Sequence, residues 1–268
     1  MDQVTQNQAD HYDFPVKLQP MYLHNNEAQV PRLRAVVRQD TNEPIGVVST
    51  RYRLITHSQA LDYVSPFTKA LGNAETKFFL EKNGARLVAR YTYFDRTVPI
   101  RTVGDTVALR VDVINSYDGS EPLRFNIGAL VLRCLNGMTA VAEAIGLRFR
   151  HIGDESLSDI VLPNAESVWQ RFVKKADTWE RWTALPNSPE YVTQVLGQLV
   201  AANVIGSRFI EDKKTNLLEA PTRWEFYDRM TYAITHDMPR LKESERIRRL
   251  RSLDHAFSTT TTTVSADA

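Results

Sequence analysis

"KFFLEKNGARLVARYTYFDR", Lys77 to Arg96, is the stretch whose reading decides the fold. Two alternating runs close around Asn83-Gly84, a pair that favours a two-residue β-hairpin turn. That turn sets Lys82 opposite Ala85, Glu81 opposite Arg86, Leu80 opposite Leu87, Phe79 opposite Val88, Phe78 opposite Ala89 and Lys77 opposite Arg90. One face then carries Phe78, Leu80, Leu87, Ala89, Tyr91 and Tyr93, which suit a core. The other carries Lys77, Phe79, Glu81, Arg86, Val88, Arg90, Phe94 and Arg96. Like charges directly opposed across strands are mildly destabilising. A polyanion lying on this face would account for Lys77 and Arg90. A second layer of protein over Phe79, Val88 and Phe94 is the alternative.

Strand patterning extends on both sides of the hairpin. "RLRAVVRQDTNEPIGVVSTRYRLI" (Arg32–Ile55) predicts two strands around a polar turn at Asp40–Pro44. "THSQALDYVSPFTKALG" (Thr56–Gly72) predicts a helix with Thr56 as N-cap, Gln59 at capping-box spacing, Gly72 as a stop and Pro66 as an interior kink or break. Beyond the hairpin, Val107, Leu109, Val111 and Val113 alternate with polar or small residues. So do Phe125, Ile127, Ala129 and Val131, across a turn at Asp118-Gly119.

After His151 the period changes. Val168, Phe172, Ala176 and Trp179 recur at helical spacing. Ser188-Pro189 opens a second helix that Gly206 closes, and Thr222 caps a third. A charged helix, "RLKESERIRRLRSLDHAF", comes last. The fold class expected is therefore α+β: a β-rich N-terminal part with antiparallel sheet and one helix, then a helical C-terminal part. The expected divisions are a flexible arm over 1–13, a β-rich domain over 14–151, a helical region over 152–257 and a disordered Thr-rich tail over 258–268.

Composition narrows the function. The chain has 268 residues, 43% hydrophobic content and a formal net charge of +1, so any preference for a polyanion has to be local. One cysteine, Cys134, excludes an intramolecular disulfide. The polar, acidic N-terminus does not read as a signal peptide, and no apolar run approaches the ~18 residues of a membrane span. A cytoplasmic protein without membrane contact is expected. There is no phosphate-cradling glycine loop, no histidine cluster at metal-ligand spacing and no acid–base constellation. Catalytic residues, metals and cofactors are thus not expected, and the chain does not read as an enzyme.

The basic and aromatic residues carry more. Lys77 to Arg101 holds six basic and two acidic side chains. "TRYRLI" adds Arg51, Tyr52 and Arg53, and "LRFRH" adds Arg148 and Arg150. On strands of one domain these fit a single-stranded nucleic acid. Cations would neutralise phosphates, and rings would stack on unpaired bases. The expected contacts are Lys77, Arg86, Arg90, Arg96, Arg101, Arg148, Arg150, Arg51 and Arg53 for phosphates, with Phe79, Phe94 and Tyr52 for bases. A solvated sheet face explains any one of these patches equally well. The four Trp residues favour core packing, and the "RIRRLRSL" face fits nucleic acid, an acidic partner or a solvated helix.

Several segments together resemble the phage- and plasmid-borne family labelled domain of unknown function 932. They are "GVVSTRYRLI" (Gly46–Ile55), "INSYDGSEPLRFNIGALVLRCLNGM" (Ile114–Met138), "LRFRHIGD" (Leu147–Asp154) and "WEFYDRMTYAITHDM" (Trp224–Met238). One branch similar to this chain, the Drc-type proteins of lytic phages, comprises single-stranded-DNA-binding cofactors of a phage-encoded RNA polymerase. The resemblance implies binding of single-stranded DNA without strong sequence preference, help to a phage RNA polymerase in transcription, and the host cytoplasm as location. It marks no DNA-binding residue, and Asp118, Gly119, Asn136 and Gly137 of the motif also read as turn chemistry. Two other functions stay open: a strand-annealing recombination protein, and a phage factor that binds a host protein without touching DNA. The oligomeric state is open.

Overall fold

The computed structural model describes residues 12–24, 28–100, 105–132, 136–139, 148, 149, 151, 162 and 164–265. Nine strands and six helices lie among them, strands first and helices after, with one helix inside the strand region. This is the α+β arrangement expected.

Strands β1 (Val16–Tyr22), β2 (Gln29–Arg38) and β3 (Pro44–Ser49) form an antiparallel sheet with β2 in the middle. Its register sets Leu18 against Val36, Pro20 against Arg34, and Arg34 against Val48. Because facing residues share a side, Val36 and Val48 turn inward together. There they meet Phe14, Tyr52 and Tyr117 in a buried cluster. The opposite side carries Leu33 and Val47, both exposed.

Helix α1 (His57–Ala70) follows. Thr56 caps it, with both bonds of the capping box formed, and the helix continues through Pro66 without breaking. The second sheet has the order β4-β5-β6-β7-β8, with β9 also paired to β7. Its strands are β4 (Glu75–Glu81), β5 (Arg86–Pro99), β6 (Thr106–Ser116), β7 (Leu123–Val131), β8 (Asn136–Thr139) and β9 (Arg148–Phe149). From Val107 to Ser116 every residue of β6 is buried. Leu87, Val88 and Ala89 of β5 are likewise buried in succession. Consecutive buried residues mean that both faces of the strand are covered.

The opening hairpin is therefore placed as expected but is not half-solvated. Its tip also differs from a plain two-residue turn. Lys82, Asn83 and Gly84 all have positive φ (53°, 56° and 90°). The Gly84 N–H bonds Glu81 O and the Ala85 N–H bonds Lys82 O, at 3.1 and 3.0 Å. Glycine is required at 84 on two counts: the φ, and the Phe14 ring, which would stand 2.7 Å from an added Cβ.

The helices are α2 (Ala165–Ala184), α3 (Pro189–Ala201), α4 (Ser207–Leu218), α5 (Arg223–His236) and α6 (Glu243–Ser265). Ser188 caps α3 with Pro189 in its first turn, and a complete Thr222/Glu225 capping box starts α5. Helix α4 has no counterpart in the sequence reading, because Leu217 is its one buried residue and no apolar stripe marks it. Two expectations at the ends are corrected. Tyr12 and Asp13, assigned to the flexible arm, are placed: Tyr12 lies 4.6 Å from the Phe78 ring, and Asp13 accepts a bond from Ser58. Helix α6 runs on to Ser265, into the stretch read as a disordered tail. Thr260 is buried there, and Gln198 of α3 bonds it at 3.1 Å.

Two compact units divide the chain. One comprises Met1–Tyr91, Val111–Asn126 and Ala144–Glu166; the other comprises Thr92–Arg110, Ile127–Glu143 and Ser167–Ala268. The second unit thus draws strand residues together with the helices. At its centre, Lys175 bonds Asp254 at 2.8 Å beneath Trp179 and Trp182, and the Tyr227 hydroxyl bonds the other Asp254 oxygen. Burial and that carboxylate push the Tyr227 hydroxyl pKa far up. Trp224 donates to Asp105 at 2.9 Å. Trp179, Trp182 and Trp224 are thus core residues.

Candidate nucleic-acid interface

The cations of the hairpin are neutralised from within. Arg86 bonds Glu81 at 3.3 Å and Ser120 at 2.7 Å. Arg90 bonds the fully buried Asp112 at 2.8 Å, with its guanidinium 5.4 Å above the Phe79 ring. Phe79 is half-buried under that guanidinium and presents no open ring face on that side. Lys77 is exposed and paired with Glu75. The like-charge opposition that the sequence raised is thus relieved by carboxylates of this chain, and the phosphate track assigned to Arg86 and Arg90 is corrected accordingly.

Tyr52 is also not a base platform. It is 7% exposed, its hydroxyl donates to Ser116 O at 2.7 Å, and its ring stacks on His151 at 5.0 Å. Arg53 is strapped by its backbone: its N–H bonds His151 O, and its carbonyl accepts from His151 Nδ1. In the other unit, Phe94 is exposed, and Arg96 lies 5.4 Å above the half-buried ring of Trp169. Arg101 and Arg150 lie outside the described residues. Of Arg148, only the backbone pairing with Arg124 is described.

The motif residues prove to be internal ties. Asn115 Nδ2 donates to Ile55 O at 3.1 Å and to His57 Nδ1 at 3.0 Å. His57 Nε2 in turn bonds Gly84 O, so both ring nitrogens are used. The Tyr117 hydroxyl accepts the His57 N–H at 2.8 Å, and its ring stacks on the imidazole at 4.0 Å. Ser116 and Glu121 clamp the turn through two bonds. Asp118 holds Lys82 at 2.8 Å and the Ser120 N–H at 3.0 Å. Burial pushes the Asp118 carboxyl up, but the Lys82 and Ser120 bonds outweigh it and hold the pKa below the usual value. Gly46 is needed because an added Cβ would stand 2.7 Å from the Asp118 backbone. Burial lowers both His57 and His151 to about 4, against backbone hydrogen bonds that favour the charged form. Both imidazoles are neutral at pH 7.

What the three-stranded sheet leaves open is different. β1, β2, β3 and the following Thr50–Ile55 carry Lys17, Arg32, Arg34, Arg38, Arg51 and Arg53 and no carboxylate. Asp40 and Glu43 sit in the β2–β3 turn, where Asp40 pairs with Arg38; Glu27, between β1 and β2, lies outside the described residues. At the other end of the sheet Arg32, Arg34 and Arg51 are exposed, and none has a side-chain partner among the described residues. Arg32 O accepts the Thr50 N–H at 2.9 Å, which puts Arg51 one residue from Arg32 across the strand gap. Tyr22, 61% exposed, pairs with Gln29 at the same end. The register slips between Pro20 and Tyr22, and Arg32 takes a left-handed φ of 65°. A bulge of this kind re-aims side chains that a regular strand would send elsewhere.

Sequence reasoning found Arg51 of this patch and missed Tyr22, Arg32 and Arg34. The signal available was the run of three arginines, without an acid, in "RLRAVVR". Among the described residues, no group of three or more His, Cys, Asp or Glu gathers as a metal ion would need. No helix among them is long and apolar enough to cross a membrane.

Residues 44–254 match the family described as Domain of unknown function (DUF932). The chain belongs to that family. No curated protein and no solved structure matches it. The DUF932 span contains the ties around His57, Asn115 and Asp118. It begins at Pro44, so β1 and β2, with Tyr22, Arg32 and Arg34, lie outside it.

Proposed function

We propose that this protein binds single-stranded DNA at the basic end of its three-stranded sheet. The observation that carries the reading is the set of three exposed arginines, Arg32, Arg34 and Arg51, with no side-chain partner among the described residues and an exposed Tyr22 at the same end. Unpaired guanidiniums release counterions when they meet phosphates. An exposed ring has an open face for a base, which a duplex keeps stacked on its neighbours. The same pairing of features explains the absence of any required base sequence, since every base offers a stacking surface.

Support for a role in transcription comes from the resemblance of the sequence to the Drc-type branch. In that role the protein holds an unpaired strand open for a phage RNA polymerase. The polymerase step is tested by run-off transcription with and without the protein; unchanged yield on a partly single-stranded template sinks it. For the binding step, a gel shift compares a single strand with the same sequence as duplex. The wild type is expected to shift the single strand preferentially, and R32A/R34A/R51A is expected to lose the shift while keeping its melting temperature. Equal shifts for the two proteins would move the site away from this sheet.

A second reading has its own observation. The opposite side of the same sheet exposes Leu33 at 38% and Val47 at 51%. Exposed aliphatic side chains on one sheet face suit a protein partner. If no nucleic acid shifts, this reading takes precedence.

A further inference from the structure

The basic end is small, and its size sets what it can hold. Arg32 and Arg34 are two residues apart on β2, and Arg51 follows the residue that bonds across to Arg32. Two residues along a strand and one strand gap across are roughly 7 Å and 5 Å. Successive phosphates of an unstacked strand lie farther apart than the ~3.4 Å axial rise per strand of a duplex. A patch of this size with three cations therefore meets no more than about three phosphates. Among the described residues it does not continue along β2: the next cation of that strand, Arg38, is bound by Asp40 and lies over Phe14. Nor does it continue onto the hairpin, where Glu81 and Asp112 hold Arg86 and Arg90.

We infer that one copy of this chain neutralises three consecutive phosphates of a single strand, and that Arg32 is held in a strained backbone conformation to complete the set. The inference rests on the binding site proposed above. A left-handed φ is disfavoured for an arginine because its Cβ crowds the following carbonyl oxygen. In the described chain, the other non-glycine residues with positive φ are Asn42, Lys82, Asn83 and Asn203, three of them the residue type that tolerates it best. Arg32 is neither an asparagine nor part of a tight turn of the kind that places Lys82. Glycine there would relax the backbone and remove the cation at once.

Salt dependence separates this proposal from others. Affinity is measured by fluorescence anisotropy for oligothymidylates of about four, eight and sixteen nucleotides, the range of single-strand site sizes. The log-log slope against salt is expected to be about −2 at every length, from three phosphates at about 0.7 each. R32G is expected to bring it to about −1.4 without lowering the melting temperature. A slope that steepens steadily with length overturns the three-phosphate limit while leaving single-strand binding intact. An R32G slope equal to the wild type overturns the role of Arg32. Absence of binding at every length overturns the inference together with the site on which it rests.

Discussion

The hairpin of β4 and β5 and the open end of the β1–β2–β3 sheet look alike in sequence: basic side chains alternate with apolar and aromatic ones. In the folded chain they are opposites. On the hairpin Arg86 and Arg90 have side-chain exposures of 12% and 16% and carboxylates within 3.3 and 2.8 Å. On the sheet end Arg32, Arg34 and Arg51 are exposed, with no side-chain partner among the described residues. The first arrangement uses cations to make buried carboxylates tolerable; the second leaves them open to solvent. Charge count and spacing do not separate these uses. The positions of the acids do.

The contrast can be broken most strongly with acid. His57 and His151 titrate near 6.5 when unfolded and near 4 when folded, so between those values only the unfolded chain takes up the protons. Stability is complete above about pH 6.5 and falls as pH drops toward about 4, by on the order of 3 kcal/mol for each ring. Urea unfolding at pH 7 and near pH 4 measures it; equal midpoints would sink the assignment of two neutral buried imidazoles. The sheet-end arginines keep their charge throughout.

Next in size is Arg90→Ala. It leaves the buried Asp112 without the Arg90 guanidinium and should destabilise the fold by about 3–5 kcal/mol. The folded fraction should bind single strands as before, so a change confined to DNA affinity would return the hairpin to the interface. Tyr22→Ala reverses that pattern. It should weaken single-strand binding by about 1–3 kcal/mol, the range for one base stacked on an aromatic ring, and leave the melting temperature within a degree or so. An equal loss of duplex binding would mean that the ring does not stack on a base. The smallest effect separates two similar arginines. Arg51→Ala should reduce the salt slope by about 0.7, whereas Arg86→Ala should leave it unchanged.

Much of the architecture was legible from local signals. The Thr56/Gln59 box, Ser188-Pro189 and the Asn83-Gly84 pair each specify a backbone state through neighbours a few residues away. The hairpin's second face was not legible, because its partners lie 22 residues on at Asp112 and 34 residues on at Ser120. Alternation leaves the second face open either to solvent and a ligand or to a further layer of protein, and Val88 is buried on that face. Helix α4 escaped because Leu217 alone anchors it. Arg32 and Arg34 were visible as strand residues, but the slip between Pro20 and Tyr22 is a feature of pairing, and pairing is not written in one strand. Arg246 and Arg249, on the face that the sequence leaves open to nucleic acid, an acidic partner or solvent, bond inward. Arg246 reaches Ile234 O and Met238 O at the end of α5, and Arg249 reaches Val204 O at 2.6 Å.

Those two arginines bear on how the chain is made. Together with Asp254 and Thr260, they put the last helix at the seams of the second unit. The Lys175 ammonium and the Tyr227 hydroxyl wait for a carboxylate synthesised 79 and 27 residues later. While the chain is still on the ribosome, the knot of His57, Asn115 and Tyr117 can close early. Until α6 emerges, Lys175 and Tyr227 lack the Asp254 carboxylate and Trp182 lacks the Phe257 ring that packs against it. A pause in translation before Arg246 would therefore leave that apolar surface open to non-native contacts.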